Sequence, residues 1–202
     1  MPNTIRTLLI AALLAMSSGA ASAGPLEDGL AAYNRGDYAT ALNLLRPLAD
    51  QGDAHAQNIL GILYSNGAGV AENDAEAVKW YRKAADQGDA PSQNTLGILY
   101  GKGEGVPKND AEAVKWYRKA ADQGFAPAQT KLGLMYSNGE GVAESDAEAV
   151  KWFRLAADQG FALAQYMLGI NYANGLGVTE NDAEAVKWYR KAADQGVCFG
   201  ME

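Results

Sequence analysis

The sequence predicts an all-α fold, a solenoid in which antiparallel helix hairpins stack in series. Three observations carry that reading. The stretch NDAEAVKWYRKAADQG stands at Asn73–Gly88 and returns at Asn109–Gly124, Ser145–Gly160 and Asn181–Gly196, altered only at Ser145, Phe153 and Leu155. Trp80, Trp116, Trp152 and Trp188 fall 36 residues apart, a period at which one supersecondary unit stacks on the next. Each period also holds a second helical pattern and a glycine-rich connection, which makes every unit an αα-hairpin.

In chain order, residues 1–23 read as a secretory leader. Arg6 supplies the positive start, Leu8–Met16 an apolar core too short to span a bilayer, and Ala21-Ser22-Ala23 a small-residue cleavage site. The expectation is an exported protein, periplasmic or secreted, with no membrane insertion once the leader is cut. Losing Arg6 leaves 16 basic against 24 acidic residues, where the whole chain has 17 against 24. An acidic chain without a basic cluster argues against nucleic acid and anionic membrane as partners. One cysteine, Cys198, allows no internal disulfide, so stability must come from packing.

Gly24–Gly52 forms a shorter, variant unit at the N-terminal end. Leu26, Leu30 and Tyr33 suggest one short helix; Ala41, Leu42, Leu45 and Leu48 fall at helical spacing in a second, over Tyr38–Asp50. Pro47 is expected to kink that helix near Asn43. Four full units follow: Asp53–Gly88, Asp89–Gly124, Phe125–Gly160 and Phe161–Gly196. In the second helix of the first, Asn73 is placed to accept from a first-turn N–H and Glu76 to reach back. Ala77, Val78, Trp80, Tyr81, Ala84 and Ala85 share one face, and Gly88 supplies a left-handed end. The first helix is expected over about Ala54–Tyr64. Gly61, repeated at Gly97, Gly133 and Gly169, costs ~1 kcal/mol within a helix and implies a close helix crossing. Val70 and its copies should fill the gap between the two helices. Val197–Glu202 begins where a further first helix would start, then stops; the tail folds back, a partner covers the last hairpin, or the array is shortened.

The strings AQNILGILYSNGAGV and NDAEAVKWYRKAADQG resemble the Sel-one-like repeat, a relative of the tetratricopeptide repeat, over Asp53–Gly196. The leading unit, with GDYATAL at Gly36–Leu42, is similar to the tetratricopeptide-type start of such arrays and would act as a cap. The resemblance implies a right-handed superhelical α/α solenoid whose first helices line a concave groove. It also implies a scaffold or adaptor that binds a protein or peptide, and it supplies no catalytic motif.

Selectivity in a repeat array has to sit where the copies differ. The second helices are nearly identical; the first helices vary at four sites. These are His55, Pro91, Pro127 and Leu163; Asn58, Asn94, Thr130 and Tyr166; Ile59, Thr95, Lys131 and Met167; and Leu63, Leu99, Met135 and Asn171. On a helical projection they fall opposite the Ala/Gln/Leu/Gly/Tyr face. The stripe reads either as a binding groove or as drift on a solvated face; Leu163, Tyr166 and Met167 favour the groove because water does not select an apolar, aromatic patch. Asn58, Asn94 and Thr130 would then clamp polar groups, and Tyr166 and Met167 would anchor apolar ones.

The alternative from another class is an enzyme. Cysteine-rich relatives of the family are linked to β-lactam binding and hydrolysis, but their paired cysteines are missing here. A Cys–His nucleophile from Cys198 and His55 would need contact between opposite ends of a solenoid. His55 has no neighbours at metal-ligand spacing, no cofactor motif is present, and Asp74, Glu76 and Asp86 sit where caps and surface pairs belong. A third reading is self-association through the C-terminal end, with Val197 and Phe199 apolar and Cys198 able to cross-link.

Overall fold

The computed structural model describes residues 24–196; the leader at 1–23 and the tail at 197–202 lie outside the described residues. The described chain forms ten helices and no strand: α1 (Pro25–Asn34), α2 (Tyr38–Asp50), α3 (Ala54–Asn66), α4 (Asp74–Asp86), α5 (Ala90–Lys102), α6 (Asp110–Asp122), α7 (Ala126–Asn138), α8 (Asp146–Asp158), α9 (Ala162–Asn174) and α10 (Asp182–Ala193). Each helix packs on the one before it and the one after it, which gives a solenoid of five antiparallel hairpins.

The even-numbered helices form as the residues dictate. Asn73 Oδ1 accepts from the Glu76 N–H at 3.0 Å, as Asn109 does from Glu112, and the same first-turn bond recurs at Ser145 and Asn181. The Glu76 side chain does not complete a reciprocal cap, because the Asn73 N–H already donates to the Tyr64 carbonyl; Glu76, Glu112, Glu148 and Glu184 pair instead with Lys79, Lys115, Lys151 and Lys187. At the other end Gly88 has φ +96°. Its N–H donates to the Ala85 carbonyl and that of Asp89 to Ala84, the paired bonds of a Schellman stop. The buried set of α4 is Ala77, Val78, Trp80, Tyr81, Ala84 and Ala85, as the periodicity predicts.

The glycines inside the odd helices explain the closeness of each hairpin. A Cβ at Gly61 would lie 2.7 Å from the Tyr81 ring, and one at Gly97, Gly133 or Gly169 would lie 2.6 Å from Tyr117, Phe153 or Tyr189. Gly29 stands in the same relation to Leu45, so the leading unit crosses in the same way. The odd helices run longer than expected: α3 continues past Tyr64 to Asn66 and stops at Gly67, whose φ of +62° is left-handed. Helix α2 runs as one element from Tyr38 to Asp50 although Pro47 removes a donor. Val70, Val106, Val142 and Val178 are half-buried against the core, where the connection closes over the hairpin.

Three devices recur at every seam between units. Gln57, Gln93, Gln129 and Gln165 are buried, and each donates to an alanine carbonyl in the preceding even helix: Ala49, Ala85, Ala121 and Ala157, at 2.9 to 3.2 Å. Each also accepts from the glutamine that ends its own hairpin, Gln87, Gln123, Gln159 or Gln195. The amide is thereby satisfied on both sides, as a buried polar group requires. Arg46, Arg82, Arg118 and Arg154 donate to the hydroxyls of Tyr64, Tyr100, Tyr136 and Tyr172 in the next unit. Finally, the second loop glycine rests on the preceding unit's even helix: a Cβ at Gly105 would lie 2.5 Å from the Asp74 carbonyl oxygen.

Candidate partner-binding site

The variable residues occupy the odd helices, but those helices bury more of their circumference than a projection with one core face allows. Each touches its own even helix and the even helix of the preceding unit. The fourth variable site is consequently interior: Leu63, Leu99, Met135 and Asn171 are all buried, and Asn171 Nδ2 donates to the Leu176 carbonyl at 3.0 Å to close its own loop. Ile59 is buried as well, and Thr130, 1% exposed, donates to the Ala126 carbonyl of its own helix. Ile59, Thr130 and Asn171 therefore do not line an accessible surface, contrary to the expectation from sequence.

The second site forms a seam between odd helices. Asn58 Nδ2 donates to Ser92 Oγ at 2.7 Å and approaches Asp89 Oδ2 at 3.4 Å, so it ties α3 to the start of α5. Asn94 has lost that role. Phe125 and Ala128 replace Asp89 and Ser92 in the following unit, and Asn94 Oδ1 is left buried with no partner among the described residues. Tyr166, at the same position in α9, instead sets its ring 5.6 Å from that of Tyr189.

The residues left facing outward are His55, Lys131 and, half-buried, Thr95, Leu163, Tyr166 and Met167. Thr95 Oγ1 donates back to the Pro91 carbonyl, and Met167 packs on the core cluster that holds Trp188. Sequence reasoning missed a further column. Ile62, Ile98, Leu134 and Ile170 are half-buried, one per unit, on the face between the variable sites. Their near-constant apolar character was the available signal, and it resembles core conservation of type.

Between α5 and α7 the lining opens into a cleft of about 570 Å³. Ile98 and Leu134 give it apolar sides, with Met135 and Tyr117 beneath, and Lys102, Lys108 and Lys131 stand around it. Burial pushes the Tyr117 phenol up to about 12. Among the described residues, no group of three or more His, Cys, Asp or Glu is placed to hold a metal ion, and no helix is long and apolar enough to cross a membrane. Cys198 lies outside the described residues.

The Sel1 repeat family model matches residues 22–53, 54–89, 90–125, 126–161 and 162–197, so the leading unit matches as a repeat too. Among solved structures, a Sel1 repeat protein from Oxalobacter formigenes is 40% identical with a TM-score of 0.80, covering 85% of this chain and 70% of that one. The c5321 protective antigen of uropathogenic Escherichia coli, which displays the same repeat fold, is 41% identical with a TM-score of 0.82; the match covers 85% of this chain but only 38% of that one. A putative Sel1 repeat protein from Klebsiella pneumoniae shares the fold at 23% identity and a TM-score of 0.55, covering 85% and 86% of the two chains. No curated protein gives a significant match.

Proposed function

The chain belongs to the Sel1 repeat family, and from that premise we propose that it is a non-catalytic scaffold that holds a protein or peptide along the lining formed by its odd helices. The fold is typically a protein-interaction scaffold. One observation carries the reading. The Gln–Ala and Arg–Tyr bonds repeat at every seam, whereas Thr95, Lys131 and Met167, at one equivalent position of successive odd helices, differ in charge, size and polarity. A constant frame with an uneven lining is suited to reading an extended partner. The leader-like start supports export to the periplasm or beyond, which fractionation of the expressing cell tests directly.

A photo-crosslinking residue at Thr95 or Lys131 should trap a partner that the same residue at Lys79, on an even helix, does not. Equal trapping from both faces would reject the lining. The β-lactam-directed alternative lacks the paired cysteines of the relatives that suggest it; nitrocefin turnover by the purified chain would revive it. Self-association has one observation in its favour, the 45% exposure of Val186 on α10. A monomer in sedimentation without reductant would remove it.

A further inference from the structure

We propose that the cleft between α5 and α7 takes an acidic peptide segment, with Lys102, Lys108 and Lys131 holding its carboxylates and Ile98 and Leu134 seating an apolar side chain. This rests on the scaffold reading and names the chemistry of the partner. At the position of Lys102 the other units carry Asn66, Asn138 and Asn174; at that of Lys108 they carry Glu72, Glu144 and Glu180. Lys131 replaces Ile59, Thr95 and Met167. Gly101 replaces a larger residue in every copy, and a Cβ there would meet only Ala113 at 3.9 Å. Drift has no reason to bring three independent gains of lysine to one opening, yet all three line the same cleft.

Charge separates this cleft from its neighbours. Against the three lysines stand Asp110 and Glu140, which leaves a charge of +1. One unit upstream the corresponding positions hold Lys102 with Glu72, Asp74 and Glu104, and one unit downstream they hold Glu144 and Asp146, a charge of −2 in each case. The chain as a whole carries −7. A single positive opening on an acidic rod attracts an anion there and repels it along the rest of the lining.

The lysines are available. Lys102 lies 3.3 Å from Glu104 and Lys108 lies 3.5 Å from the half-buried Asp110; both lysines are exposed, so the pairs are worth little to exchange. Lys131 has no carboxylate partner among the described residues. The half-buried Ile98 and Leu134 supply the apolar contact that free anions would not use.

The test measures binding of a short fluorescein-labelled peptide of glutamate, leucine and serine, and of the same peptide with glutamine for every glutamate. The variant is Lys102→Asn, Lys108→Glu, Lys131→Thr, in which each replacement is a residue that sister units already carry at that site. The acidic peptide should bind the natural chain, weaken with salt, and lose about tenfold or more in affinity with the variant. Equal binding of the glutamine peptide would overturn the charge reading and leave the scaffold reading standing. Undiminished binding by the variant would overturn the site, and no binding of the acidic peptide would overturn the proposal outright.

Discussion

Helices α4 and α10 share the sequence DAEAVKWYRKAA but not its surroundings. Val78 is 6% exposed on α4, whereas Val186 is 45% exposed on α10. Tyr81 is buried and Tyr189 only half-buried, Ala85 is buried and Ala193 exposed. The difference is α5, which lies over α4 and has no counterpart over α10 among the described residues. Twelve identical residues thus fold to the same helix while half their apolar face changes environment. In this architecture the sequence decides the helix, and the neighbouring unit decides what the helix is worth.

Paired substitutions put that contrast to measurement. Tyr81→Ala should cost about 3–5 kcal/mol, the range for emptying a buried aromatic site, and Tyr189→Ala about half of that or less. Denaturant midpoints read both, and equal losses would contradict the view that the neighbour sets the energy. Next in size is the buried amide. Gln93→Ala removes two hydrogen bonds, one to the Ala85 carbonyl and one from Gln123, and should cost about 1–3 kcal/mol. Gln195→Ala, at the open end, removes the bond to Gln165 and should cost about 0.5–1 kcal/mol. The smallest effect concerns α8, which departs from α4, α6 and α10 at Leu155. Lys83, Lys119 and Lys191 hold their ammonium groups 3.8, 3.9 and 4.1 Å from the rings of Trp80, Trp116 and Trp188, while Leu155 leaves Trp152 without that partner and is itself 44% exposed. Leu155→Lys should stabilise by about 0.5 kcal/mol, seen as a small rise in Tm. No rise would mean that the ammonium–ring contacts in the other units are incidental.

The even helices were legible in the sequence because capping, periodicity and the terminal glycine all agree there, and the buried set of α4 follows from spacing alone. Gly61 and its copies were legible for a similar reason: a glycine retained inside a helix points to a crossing. The lining was less so. A projection assigns one buried face, but α3, α5, α7 and α9 are each clasped by two even helices, which draws Ile59, Thr130 and Asn171 inside. The column of Ile62, Ile98, Leu134 and Ile170 escaped because an apolar residue kept in every copy reads as core. Nor could spacing foresee that Asn58 and Asn94 differ, since the partners that separate them, Asp89 and Ser92 against Phe125 and Ala128, belong to the next unit.

The backward-donating glutamine has a genetic consequence. Excising Asp89–Gly124 would bring Gln129 to the Ala85 carbonyl and Tyr136 to Arg82, the bonds those groups already make with their present neighbours' equivalents. Asn58 would lose Ser92 and stand where the excised Asn94 stood, facing Phe125 and Ala128, a modest local cost. Unequal crossing-over within the repeated coding DNA can therefore shorten or lengthen the rod by whole paragraphs without rewriting a joint, and the positively charged opening is the one passage such an exchange would erase.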